Sequence, residues 1–178
     1  MKLIDPCNRH LNYLRISITD RCNLKCIYCV PPDQIPRLTH ADILTYEEIL
    51  RIVKIGVKLG ITKLRVTGGE PLVRKGVYGF LRQLSDIDGV TDLSLTTNGV
   101  ALRHNLTKIK SAGINRINIS LDTLDRKKFH RITGLDLFDQ VWQGIEMARG
   151  MGFDPIKLNI VALNGVNDDE LKDMALLS

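Results

Sequence analysis

Five short segments of this chain alternate apolar and polar residues with a period of two. Longer segments between them carry apolar residues at helical spacing. Tyr13–Thr19 sets Leu14, Ile16 and Ile18 against Arg15, Ser17 and Thr19. Lys63–Thr67 sets Leu64 and Val66 against Arg65 and Thr67, and Asp92–Thr97 sets Leu93 and Leu95 against Ser94, Thr96 and the following Asn98. Arg116–Leu121 opposes Ile117, Ile119 and Leu121 to Asn118, Ser120 and the following Asp122. Ile156–Ala162 opposes Ile156, Leu158 and Ile160 to Lys157 and Asn159. These five segments are predicted strands.

Helices are predicted between them. Thr45 and Glu48 form a T-x-x-E capping box, followed by a stripe of Ile49, Ile52, Val53 and Val57 that Gly60 ends. Gly76–Leu84 and Leu102–Ala112 read as the next two helices, and Phe138, Val141, Trp142, Ile145 and Ala148 line another. Asn167-Asp168-Asp169 is expected to cap a last helix, which has barely begun when the chain stops at Ser178. Glycine at each helix-to-strand junction (Gly60, Gly89, Gly113, Gly152) marks a succession of βα units at uneven intervals.

Alternating strands and helices imply an α/β fold with a parallel sheet and right-handed crossovers. Five units could form an open doubly wound sheet or part of a (βα) barrel. Sheets covered on both faces usually have near-continuous apolar strands, whereas every strand here is half polar. Helices on the apolar side then leave one shared polar side, which points to a partial (βα) barrel with a polar lumen. The simpler alternative is a sheet with one face in solvent.

Arg15, Arg65 and Lys157 fall on that polar side. Cations in a partly desolvated cavity need anions, either Asp122 and Glu70 or a ligand such as a polyphosphate or carboxylate. The strand ends, where ligands of parallel α/β folds bind, carry Gly68-Gly69-Glu70-Pro71, Thr96-Thr97-Asn98-Gly99 and Ser120-Leu121-Asp122-Thr123. Gly68-Gly69 would let backbone approach a ligand, and Glu70 could accept bonds from an ammonium.

The loop after the first strand runs through PPDQIP to about Thr39 and holds Cys22, Cys26 and Cys29 as C-x3-C-x2-C. Thiolates suit zinc, copper(I) or iron–sulfur clusters. Three ligands would leave one iron of a [4Fe–4S] cluster open for chemistry. A structural zinc site would need a fourth ligand, for which Cys7, His10 and His40 lack paired spacing. Three closely spaced cysteines would leave one over, which argues against a disulfide here.

Composition narrows the picture. The 178 residues suffice for one core, and 44% apolar residues is ordinary. The net charge of +5 is modest and does not point to nucleic acid. One Trp, four Tyr and four Phe argue against a base-stacking surface. The N-terminus has no signal-peptide core, and no apolar run reaches the roughly 20 residues of a membrane span. With a cluster-like cysteine set, this predicts a cytoplasmic protein in a reducing compartment.

Three cysteines in this spacing, Tyr28 before the third, and GGEP after the second strand resemble the radical S-adenosylmethionine enzymes. RISITDRCNLKCIYC, LRVTGGEPLVR, LSLTTNG, INISLDTLDRKKFHRITG and IKLNIVALNGVNDDEL narrow the resemblance to the GTP 3′,8-cyclases of molybdenum cofactor biosynthesis, from about Leu14 to Leu171. The resemblance implies a [4Fe–4S] cluster on Cys22, Cys26 and Cys29, and S-adenosyl-L-methionine on its open iron. An external electron donor would drive formation of a 5′-deoxyadenosyl radical, which would act on GTP to give the 3′,8-cyclo product. It further implies that Tyr28, Gly69 and Ser120 contact S-adenosylmethionine and that Arg15, Arg65, Thr96 and Lys157 contact GTP. Val30 stands where the family often has methionine.

Family members are much longer and carry a second three-cysteine cluster near the C-terminus that helps bind guanine. No cysteine follows Cys29 here. Residues 1–178 are therefore expected to be the radical S-adenosylmethionine partial-barrel domain truncated at its C-terminus, without the second [4Fe–4S] cluster and without the complete cyclisation. Cys7 is expected to be a free thiol. Homo-oligomerisation stays open. The alternatives are a peptide- or tetrapyrrole-modifying radical enzyme, or a zinc-stabilised nucleotide-binding module.

Overall fold

The computed structural model describes residues 3–29 and 38–177. The PPDQIP stretch and Val30 lie outside them. Five parallel strands form one sheet in the order of the chain: β1 Tyr13–Ser17, β2 Lys63–Thr67, β3 Asp92–Thr97, β4 Arg116–Ser120 and β5 Ile156–Asn159. Each step to the next strand passes through helix: α1 Tyr46–Lys58, α2 Val77–Ser85, α3 Leu102–Ser111, then the pair α4 Arg126–Thr133 and α5 Phe138–Gly150. A short α6, Leu171–Ala175, follows β5. Sequential order with parallel pairing is the arrangement of a partial βα barrel. No helix among the described residues is long and apolar enough to cross a membrane.

The alternation predicts the faces well. Leu64, Val66, Leu93, Leu95, Ile117 and Ile119 are buried and join one core with Val53, Phe80, Leu84, Leu106, Ile109, Val141 and Ala148 of the helices. Thr45 caps α1 as expected: its hydroxyl accepts from Glu48 N–H while the Glu48 carboxylate accepts from Thr45 N–H. The stripe of α1 is narrower than predicted, because Ile49 and Val53 are buried but Ile52 is exposed. The four junction glycines all adopt positive φ, the backbone that closes a helix before the next strand.

Three predictions need correction. Helix α4 is absent from the sequence reading, since RKKFHRIT is dominated by charge, yet Phe129, Ile132 and Thr133 make a buried stripe and Asp125 caps it. Strand β5 ends at Asn159, short of the expected Ala162. There the Val161 N–H donates to Asp122 and the Val161 carbonyl accepts from Asn167, so side chains take the groups a longer ladder would use. Asn167, expected as a cap, makes no side-chain cap bond. It is buried, with its amide donating to the carbonyls of Asp122 and Val161 and its side-chain oxygen accepting from Leu163 N–H.

Candidate active site

The polar residues of the strands form level rows across the sheet. Arg15, Arg65, Ser94 and Arg116 are register partners on β1 to β4. Thr96, Asn118 and Lys157 are partners two residues further toward the C-terminal ends, and Ser120 and Asn159 two residues beyond those. All four expected GTP contacts and Ser120 therefore share one face. Arg116 belongs with them and was overlooked. It stands two residues before Asn118, so the same alternation already assigned it inward.

This face is poorly neutralised. Arg116 pairs with Asp92, but among the described residues Arg15, Arg65 and Lys157 have no carboxylate within salt-bridge distance. The Arg65 guanidinium lies over the Tyr13 ring, 5.5 Å from its centre. Arg65 Nε, Arg116 Nε and Thr96 Oγ1 are buried without a hydrogen-bond partner. Such groups cost free energy unless something satisfies them. Grooves of about 560 Å³ between α1 and α2 and about 490 Å³ at the start of α1 do not include these residues.

The expected internal anions are occupied elsewhere. Glu70 is fully buried and accepts from Leu72 N–H at 3.0 Å, from the Thr97 hydroxyl at 3.0 Å and from Asn98 N–H at 2.7 Å. It ties the end of β2 to the end of β3 instead of facing an ammonium. Burial pushes its carboxyl up, while the donors from Asn98, Leu72 and Thr97 pull it down. Asp122 accepts from the Tyr28 hydroxyl at 2.6 Å and from Val161 N–H at 2.9 Å. Neither acid pairs with the cations.

Gly68-Gly69 also packs closely against backbone of the chain itself. A side chain at Gly68 would meet the Thr19 carbonyl oxygen at 2.6 Å, and one at Gly69 the Arg21 carbonyl carbon at 2.7 Å. Gly69 N–H donates to Thr19 O and Glu70 N–H to Arg21 O. The two glycines thus let the GGEP turn seat against the backbone that leads into the cysteine loop. The far side of that loop rests on α4: Lys25 N–H donates to Thr133 O and Ile27 N–H to Ile132 O, both at 2.9 Å.

On this loop Cys22 and Cys29 are exposed and Cys26 is half-buried. No group of three or more His, Cys, Asp or Glu side chains is gathered into a ready metal cage among the described residues. Cys7 is free and exposed in the N-terminal turn. The donor set nevertheless suits a soft metal. Burial pushes the Cys26 thiol up to about 11, with Asp122 and then Cys22 adding to it, and Cys29 contributing further. The sulfurs thus feel one another, and a metal cation would relieve that repulsion. Cys22 Sγ also accepts from Leu24 N–H at 3.4 Å and from the Asn98 amide at 3.7 Å. Burial, then the bond to Asp122, pushes the Tyr28 phenol up, so it stays a donor.

A model of the radical SAM superfamily matches residues 16–177. This chain belongs to the radical SAM superfamily. Membership carries a [4Fe–4S] cluster and S-adenosylmethionine as cofactors. Among curated proteins, a GTP 3′,8-cyclase of Thermodesulfovibrio yellowstonii is 53% identical over 175 residues, covering 98% of this chain and 54% of the relative. One from Geobacter sulfurreducens is 48% identical over 178 residues, covering 100% of this chain and 55% of the relative. The chain spans about half the length of the curated relatives it matches. Among solved structures, Streptococcus suis SuiB bound to S-adenosylmethionine superposes with a TM-score of 0.71 at 18% identity, covering 93% of this chain and 38% of SuiB. HydG, a maturase of the [FeFe]-hydrogenase, gives 0.72 at 21%, covering 93% and 37%. At such identities these two establish the radical SAM fold alone.

Proposed function

We propose that this chain is the S-adenosylmethionine- and GTP-binding part of a GTP 3′,8-cyclase of molybdenum cofactor biosynthesis. The observation that carries the substrate side is the polar strand face, where Arg65 Nε and Thr96 Oγ1 are buried without partners beside the unpaired Arg15 and Lys157. Arginine forks and a lysine suit a triphosphate, and a buried hydroxyl suits a nucleotide's polar edge. The curated relatives named as GTP 3′,8-cyclases support the choice of GTP.

On this reading Cys22, Cys26 and Cys29 hold the cluster, and Tyr28, Gly69 and Ser120 contact S-adenosylmethionine. Arg15, Arg65, Thr96 and Lys157 bind GTP. When bound, the cluster and S-adenosylmethionine supply an electron and a carbon-centred radical able to take a ribose hydrogen. The protein's own groups bind, orient and exclude water. Arg15, Arg65 and Lys157 neutralise the phosphates, and Thr96 fixes the nucleotide's depth along the sheet. An external electron donor and a reducing, cytoplasmic setting belong to the same proposal. The second cluster belongs to the part of the relatives outside this chain's span, so the 178 residues should bind both ligands without completing cyclisation.

Anaerobic reconstitution with iron and sulfide tests the reading. About four irons per chain is expected, lost in Cys26→Ala, with reductive cleavage of S-adenosylmethionine by the dithionite-reduced protein. Equilibrium dialysis should show GTP binding that weakens in Arg65→Met. Stoichiometric zinc without iron, or GTP binding indifferent to Arg65, would overturn it.

A further inference from the structure

Asp122 is a buried carboxylate with no cation beside it among the described residues. A carboxylate in that position is costly unless its oxygens are hydrogen-bonded. Each oxygen is. Oδ2 accepts from the hydroxyl of Tyr28, 94 residues away in sequence, at 2.6 Å. Oδ1 accepts from Val161 N–H at 2.9 Å, just past the end of β5. The backbone carbonyl of Asp122 accepts from the buried Asn167 amide at 2.6 Å. Asp122 itself lies just past the end of β4. One side chain therefore joins the cysteine loop to two strand ends across the mouth of the sheet.

Tyr28 lies between Cys26 and Cys29 and is otherwise partly exposed. A phenol on a short loop has free rotation about two side-chain bonds, and a short charge-assisted bond to a buried carboxylate removes it. We infer that Asp122 is a positioning residue for the radical site. It fixes the ring of Tyr28 and, through it, the spacing of the Cys26–Cys29 segment, so that ring and loop are set before S-adenosylmethionine arrives. This rests on the cofactor assignment above only for its functional consequence. The Tyr28–Asp122 linkage is a property of the chain without cofactors.

A double-mutant cycle of Tyr28→Phe and Asp122→Asn tests it in two settings. Phe keeps the ring and loses the donor. Asn has one oxygen and cannot accept from both Tyr28 and Val161. In the cofactor-free chain, alkylation of the half-buried Cys26, mapped by mass spectrometry and taken per thiolate so that the lost Asp122 charge does not count, should quicken several-fold in each variant and no further in the double variant. In the reconstituted protein, the dissociation constant of S-adenosylmethionine should rise about 10-fold in each single variant at unchanged iron content, again without a further rise in the double. The electron paramagnetic resonance signal of the reduced cluster should also lose part of its shift on adding S-adenosylmethionine. Additive effects, or an unchanged Cys26 rate in both single variants, would overturn the inference. If wild-type protein takes up no iron, the cofactor assignment fails, and the alkylation cycle still decides the linkage. A variant that loses secondary structure by circular dichroism is replaced by Asp122→Ser, for which the same non-additivity is expected and additivity is contrary.

Discussion

The rim of the sheet and its polar face are built from the same kinds of residue and treat them in opposite ways. At the rim, Glu70, Thr97, Asn98, Asp122 and Asn167 have their polar side-chain groups bonded within the chain. A few residues below it, the half-buried Arg65 and Thr96 each keep a buried atom without a partner among the described residues, and Arg15 and Lys157 have no carboxylate partner there. A satisfied polar network rigidifies, and an unsatisfied one is costly until something pairs with it. On the proposed reading, the difference separates the scaffold of the cofactor loop from a surface for substrate.

The largest expected effect is at the rim. Gly69→Ala would drive a methyl into the Arg21 backbone, which cannot swing aside as a side chain can. A loss of about 3 kcal/mol in urea denaturation is expected. A loss under 1 kcal/mol would show that the contact between the GGEP turn and the cysteine loop is slack. Glu70→Gln comes next, at about 2 kcal/mol, because one oxygen becomes an NH2 facing N–H and O–H donors.

Thr96→Val sharpens the contrast by reversing the sign. Its hydroxyl has no partner among the described residues, so stability should stay within about 0.5 kcal/mol or rise, while GTP affinity falls about 10-fold. If Thr96→Val destabilised the fold as much as Glu70→Gln, the distinction between the two regions would collapse.

The smallest effect concerns the charged clamp outside both regions. Lys128 donates to Asp169 and pairs with Glu170, joining α4 to the segment before α6. The bond to Lys128 holds the Asp169 carboxyl below its ordinary 3.8. A depressed carboxyl adds stability above its unfolded value and loses it as the pH falls through the folded one. Lys128→Met should therefore melt slightly below wild type at pH 7, and the two should converge in thermal scans as acid protonates the Asp169 carboxylate.

Local pattern revealed a good part of this. Period-two alternation placed Arg15, Arg65, Thr96, Ser120 and Lys157 on one face, because a strand's side chains have only two directions. The capping box of Thr45 and Glu48 was legible for a similar reason, being settled within four residues. Helix α4 was not legible: its apolar stripe is three residues wide and hidden among lysines and arginines, and burial against the cysteine loop's neighbours is what makes it helical. Of the two anion sources offered for the cations, Glu70 and Asp122 are bonded elsewhere. Both choose partners many residues away, and a carboxylate's nearest donor is a fact of folding, not of spacing.

The sequence alone determined the βα order, the polar side of the sheet, the three thiols on one loop, and the radical SAM resemblance that the family match later bore out. These rest on short-range periodicity and motif spacing, which survive without coordinates. Tertiary structure decided which polar groups were spent and which were spare. It closed Glu70 and Asp122 into the rim, seated Gly68-Gly69 on the Thr19–Arg21 backbone, paired Arg116 with Asp92, and left atoms of Arg65 and Thr96 without partners among the described residues. Hydrogen bonds are made by whatever comes within 3 Å, roughly, and only the folded sheet brings residues so far apart in the chain to that distance.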